Sequence, residues 1–196
     1  MTDYCSPKED YDIFNTNVFG MLNVIKAFLP YLRASPGHRT ISNFGSLASW
    51  TGRAGCVLYY GTKWACSGLS EALRDELAPF GISVTAIEPG YFRTGFLNSS
   101  TSIHSEKKMD EYENTKAGEV RRMLESRAGK QIGDVQKGSK VIVDILTKSG
   151  AAEGKEVPIR IALGSDLVPA IRDKLQATEN LLKEWEAVTT ATDHVD

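Results

Sequence analysis

The sequence predicts an α/β protein: a partial, doubly wound parallel sheet of about three strands flanked by helices. Two observations carry this. The β-prone runs Arg39–Phe44 and Ile82–Glu88 stand on either side of a long helical pattern from about Val57 to Ala78. Strand, long helix, strand is one βαβ unit, whose strands are parallel and whose crossover is right-handed. Further on, residues 156–163 alternate Val157, Ile159, Ile161 and Leu163, which reads as a third strand, and Pro158 within it assigns that strand to a sheet edge. A length of 196 residues with 41% apolar content suits one domain with a real core. Its extent is read as 1–188, with a substrate-loop or lid insertion over 95–130 and a flexible tail over 189–196.

The elements follow in order. Ser6-Pro7-Lys8-Glu9 is a capping box with proline at the first helical position. Phe14, Val18, Leu22, Ile25, Leu29 and Leu32 then recur with helical period, so one helix is expected over Pro7–Arg33, bent at Pro30. Ser35-Pro-Gly-His is a turn. The helix from Val57 carries Leu58, Ala65, Leu69, Leu73 and Leu77 on its apolar side and stops at Ala78-Pro79-Phe80-Gly81. A small-residue stripe, Gly61, Ala65, Gly68 and Ala72, reads as close helix packing rather than a site. Phe92–Lys130 is long and charged, beginning with Ser99-Ser-Thr-Ser. Its charge run Glu106–Glu113 reads as a solvated helix face. Asp134 caps a helix bearing Val135, Ile142, Ile145 and Leu146, and Ser165-Asp166 opens a last amphipathic helix to about Ala187.

Composition narrows the function. A net charge of −2 gives no general attraction to nucleic acid. No apolar run approaches the roughly 20 residues of a membrane span, and the N-terminus lacks the basic and apolar regions of a signal peptide. Three sparse cysteines, Cys5, Cys56 and Cys66, suit a reduced, cytoplasmic setting. His38, His104 and His194 show no ligand spacing, so no metal site is expected.

Chemistry concentrates between Ser46 and Lys63. A hydroxyl closes a short strand, and thirteen residues later Tyr59 and Lys63 stand one helical turn apart. A phenol has an ordinary pKa of about 10, and a neighbouring ammonium favours its ionised form. Serine, tyrosine and lysine could then move a proton on or off a substrate oxygen. The Tyr-x-x-x-Lys spacing also occurs at Tyr4/Lys8 and Tyr112/Lys116. The first straddles a helix cap and the second lies on the charged face. Tyr59/Lys63 alone follows the carboxyl end of a strand, where open parallel sheets bind ligands.

Asn17-Val-Phe-Gly20, Ser42-Asn43-Phe44-Gly45-Ser46, Tyr59-Tyr60-Gly61-Thr62-Lys63 and Glu88-Pro89-Gly90-Tyr91-Phe92-Arg93-Thr94 together resemble the C-terminal part of a short-chain dehydrogenase/reductase of the kind common in fungi. The resemblance covers most of residues 9–96. It implies a Rossmann-like sheet and NADP- or NAD-dependent interconversion of a lipophilic ketone and a secondary alcohol. By the same resemblance, Tyr59 is the general acid or base, Lys63 lowers the Tyr59 pKa and binds the nicotinamide ribose, and Ser46 orients the substrate oxygen. Asn17 holds the water linking Lys63 to solvent, Asn43 lies near the cofactor, and Pro89, Gly90 and Thr94 line its carboxamide and phosphate side. The helices starting near Pro7 and Val57 would form the dimer face of a homo- or hetero-oligomer.

The sequence departs from that family in one respect. No Gly-x-Gly-x-x-Gly or Gly-x-x-x-Gly-x-Gly run occurs in it, and the N-terminal strands that would carry the cofactor's adenine and pyrophosphate are missing. Two alternatives to an oxidoreductase therefore stand: a relative that binds no dinucleotide and acts as a binding partner, and a cofactor-free proton-transfer enzyme such as an isomerase or cyclase.

Overall fold

The computed structural model describes residues 5–98 and 109–194. Three strands, β1 (Arg39–Phe44), β2 (Ile82–Pro89) and β3 (Arg160–Leu163), form one parallel sheet in the order β1-β2-β3. The register runs from Arg39↔Ile82 to Phe44↔Ile87 and from Ala86↔Arg160 to Pro89↔Leu163. Helix α3 (Val57–Leu77) connects β1 to β2, and α5 (Val135–Thr147) lies between β2 and β3 in the chain. The third strand starts later than the alternation from Glu156 predicts. Pro158 has no N–H to give a ladder, and pairing begins where the Ile159 carbonyl accepts from the Ala86 N–H at 2.9 Å.

Successive side chains along a strand point to opposite faces, and β2 uses both. Ile82 and Val84 pack with Ile41, with Leu73 and Leu77 of α3, and with Leu29 and Leu32 of α2 (Gly20–Ala34). Ile87 packs with Ile161, Leu163, Phe92 and the α5 residues Ile142 and Ile145. A strand covered on both faces cannot alternate apolar and polar, which is why β2 reads as a nearly continuous apolar and β-branched run.

The N-terminal helix differs from the expected single rod bent at Pro30. Helix α1 (Pro7–Phe14) starts at the expected Ser6–Glu9 capping box. A π-turn over Asn15–Phe19 follows, and α2 then carries Pro30 inside it. Pro30 is on the exposed side, where water serves the carbonyl left without its N–H partner. The extra residue of the π-turn is held by two bonds to α3: Asn17 Nδ2 donates to Thr62 Oγ1 at 3.1 Å, and Cys66 Sγ donates to the Asn17 carbonyl at 3.2 Å.

Other ends fall close to expectation. After α3, a 3-10 turn over Ala78–Phe80 ends at Gly81, whose φ of 67° is the left-handed geometry that glycine adopts freely. Asp134 caps α5 through the Lys137 N–H at 3.1 Å. Helix α6 (Leu167–Thr189) runs further than Ala187, and a 3-10 turn occupies Thr190–Thr192 within the expected loose tail. Ser99-Ser-Thr-Ser, Glu106 and Tyr4 lie outside the described residues. The expected helical face ending at Glu113 is not helical in its described part. Asp110–Tyr112 is a 3-10 turn, and Glu113 precedes α4 (Lys116–Arg127), pairing with Arg121 and Arg122 of that helix.

Candidate active site

The site is built where β1 ends. A side chain at Gly45 would come within 2.6 Å of Ser67 Oγ, so glycine is what lets the chain leave β1 so close to α3. Ser46 then caps a 3-10 turn over Leu47–Ser49 in a reciprocal box. Ser46 Oγ accepts from the Ala48 N–H at 3.1 Å, and the Ser46 N–H donates to Ser49 Oγ at 3.2 Å. Fully buried Ser49 donates in turn to the Lys63 carbonyl at 2.8 Å. The strand end and the α3 turn bearing Lys63 are thus one unit.

Tyr59 and Lys63 both belong to α3, whereas Tyr112 lies in a 3-10 turn and Lys116 opens α4. Ser46 faces Tyr59 closely enough to act on its phenol. Lys63 Nζ sits 5.8 Å from the Tyr59 ring centroid and donates to the Phe44 carbonyl at 2.9 Å. Burial raises the Tyr59 phenol above its ordinary value, and the Ser46 hydroxyl works against that rise. Burial lowers the Lys63 ammonium. The net direction at Tyr59 is upward because burial outweighs the lowering influence of Ser46 on the phenol.

Asn17 reaches this group indirectly. It bonds Thr62 Oγ1, which donates to the Tyr59 carbonyl at 2.8 Å. Asn43 is drawn the other way: it is buried, and its Nδ2 donates to Ser70 Oγ at 2.9 Å, tying β1 to α3. Pro89 ends β2, and a side chain at Gly90 would meet Asp166 Oδ1 at 2.2 Å. Asp166 Oδ2 accepts from the Tyr91 N–H at 2.8 Å, fixing that turn instead of capping α6. Thr94 is exposed and caps a short turn through the Phe96 N–H at 3.2 Å. That turn sets the Phe96 ring 5.9 Å from the Tyr59 ring. The structure thus gathers Ser46, Tyr59 and Lys63, braces them with Asn17, and gives Asn43 and Gly90 packing partners of their own.

Sequence reading missed the buried support. Glu88 is fully buried on the α3 side of β2 and receives Trp50 Nε1 at 2.7 Å, Ser67 Oγ at 2.7 Å and Arg160 Nε at 2.8 Å. The Arg160 guanidinium covers the Trp50 ring at 3.9 Å. Ser67 Oγ also lies 2.8 Å from Ser49 Oγ, joining this network to the Ser46 box. The signal lay in strand parity: Glu88 shares a face with Ile82 and Val84, an inward place for a charge that requires partners. The S-x-x-S spacing of Ser46 and Ser49 was a second sign.

No group of three or more His, Cys, Asp or Glu side chains among the described residues could hold a metal ion. Their helices include none long and apolar enough to cross a membrane.

Comparison with known proteins agrees with this geometry. The family profile for short chain dehydrogenase matches residues 2–104. The uncharacterized oxidoreductase YusZ of Bacillus subtilis is 35% identical over 135 residues, covering 69% of this chain and 48% of that protein. A short-chain dehydrogenase from Streptomyces avermitilis superposes with a TM-score of 0.82 at 34% identity, covering 98% of this chain and 66% of that one. A short chain dehydrogenase/reductase from Burkholderia phymatum, solved in complex with NAD, shares the fold with a TM-score of 0.67 at 18% identity, covering 97% of this chain and 63% of that one. The chain spans about half to two thirds of the length of these proteins. With its parallel sheet, its hydroxyl–phenol pair at a strand end and its match to the family profile, the chain belongs to the short-chain dehydrogenase family.

Proposed function

We propose that this chain carries the proton-handling half of a nicotinamide-dependent oxidoreductase acting on a lipophilic ketone or secondary alcohol. The observation that carries the reading is the juxtaposition of Ser46 and Tyr59 at the carboxyl end of a parallel strand, with the phenol raised by burial and Ser46 opposing that rise. In reduction, Ser46 holds the substrate oxygen and Tyr59 gives it a proton. In oxidation Tyr59 takes that proton back. A bound NAD or NADP would accept or supply the hydride. Lys63, a cation close to Tyr59 at the strand end, is the residue to meet the cofactor's ribose, with the Pro89–Gly90 turn beside the nicotinamide. Asn17 holds Tyr59 in place through Thr62. Phe96, 60% exposed and against the Tyr59 ring, supplies an apolar wall that favours a lipophilic substrate.

The test is titration with NADH and NADPH, followed by turnover of a panel of ketones. Cofactor-dependent reduction is expected, falling about 10²–10⁴-fold in Tyr59→Phe. Turnover unchanged in Tyr59→Phe would remove Tyr59 from the chemistry. Turnover without any nicotinamide would assign the site to proton transfer alone.

A further inference from the structure

Helix α6 leaves most of its length without support from the rest of the chain. Leu167 is fully buried and Ile171 half-buried, but every residue from Arg172 to Thr189 is exposed. This arm of eighteen residues is about 27 Å long. A helix of that size is marginal alone in water. Yet it presents Leu175, Leu181, Leu182, Trp185 and Val188 to solvent, each 49–62% exposed.

The spacing of these residues identifies what would cover them. Val168, Ile171, Leu175, Thr178, Leu182 and Trp185 stand three and four residues apart in strict alternation, the a/d seam of a coiled coil. A seam of period 3.5 fits another helix. A lipid surface fits less well, since interfacial helices are rich in lysine and arginine, while the arm carries three basic residues (Arg172, Lys174, Lys183) against four acidic ones (Asp173, Glu179, Glu184, Glu186). The charges suit a second copy of the same helix running the opposite way. Layers Val168–Trp185, Leu175–Thr178 and Leu182–Ile171 then face each other across a two-fold axis. At the flanking position, Arg172 of each copy meets Glu179 of the other, so the contact is self-complementary.

We propose that α6 is a self-association arm, pairing antiparallel with α6 of a second copy. This surface is separate from the face of α1, α2 and α3. The test is sedimentation equilibrium of the full chain over micromolar concentrations, with circular dichroism to confirm that each variant is folded. The unsubstituted chain is expected to be dimeric, and Leu182→Lys to weaken the dimer at least about tenfold. Arg172→Glu and Glu179→Arg should each weaken it, and the double variant should restore it, because only the antiparallel register pairs these two positions. A chain that stays monomeric overturns the proposal. So does association that survives Leu182→Lys but is lost in Phe28→Lys on α2, or a double charge swap that fails to restore pairing.

Discussion

At Tyr59, two opposing influences meet on one phenol. Burial raises its pKa and the Ser46 hydroxyl pulls it back. Removing that hydroxyl leaves burial unopposed, so Ser46→Ala is expected to move the Tyr59 titration upward. An ultraviolet difference titration against Tyr59→Phe reads this directly, and a downward shift would mean that Ser46 does not stabilise the ionised phenol. The same substitution removes one donor to the substrate oxygen, with an expected loss in kcat of about 10²-fold or more.

The neighbouring Tyr60 tests the electrostatics independently of catalysis. Burial pushes its phenol up to about 12, from an ordinary value of 10.0. A pKa raised in the folded state means that the folded chain holds its proton more tightly than the unfolded chain. The resulting stability is fully present below pH 10 and is lost as pH rises through about 12. Tyr60→Phe is therefore expected to flatten the fall of Tm with pH across that window while leaving the neutral-pH slope unchanged. An identical alkaline slope in the variant would show that Tyr60 ionises without unfolding the site.

Among the elements, β3 is short, and its hold on the site runs through one side chain. Arg160 is the first residue of β3, and it joins Glu88 of β2, Trp50 and Glu71 of α3. Arg160→Met would leave a fully buried carboxylate unpaired, at a cost of about 3–5 kcal/mol. In a chain of this size that is a fall in Tm of roughly 10 °C. Adding Glu88→Gln removes the stranded charge and should recover part of the loss. Equal Tm values for the single and double variants would mean that water or another group already serves Glu88.

The elements also show what the sequence made legible. The boundaries of β1, α3 and β2 could be read because each is set locally: by β-branched runs, by helical period and by the Pro79–Gly81 stop. The π-turn at Asn15–Phe19 could not, since it is held by Thr62 and Cys66, about 45 residues away. The short β3 misled because alternation continues through Pro158 while pairing does not. At the site, Ser46, Tyr59 and Lys63 were legible from spacing. The direction of the Tyr59 shift was not, because burial depends on Phe96 and the surrounding fold. Asn43 carried the right residue type at the right strand end, but its partner, Ser70, is set by how α3 lies on β1.

Across the whole molecule, the sheet order sets where stability is concentrated. Among the described strands β2 alone has a neighbour on each side, and its residues Ile82, Val84, Thr85, Ala86, Ile87 and Glu88 are almost wholly buried. Among the described residues β1 pairs only with β2, and no other strand lies beside the outer row of its backbone groups. Such an edge invites another strand. Amide exchange tracks the free energy of local opening, so the slowest amides are expected in β2. Along β1 the rates should alternate, slow where the N–H meets β2 and fast where it faces outward. Residue-resolved hydrogen exchange at low protein concentration separates the cases. Uniformly slow exchange along Arg39–Phe44 would mean that a further strand covers the outer edge in solution. Alternation at low concentration that disappears at high concentration would identify that strand as coming from another copy.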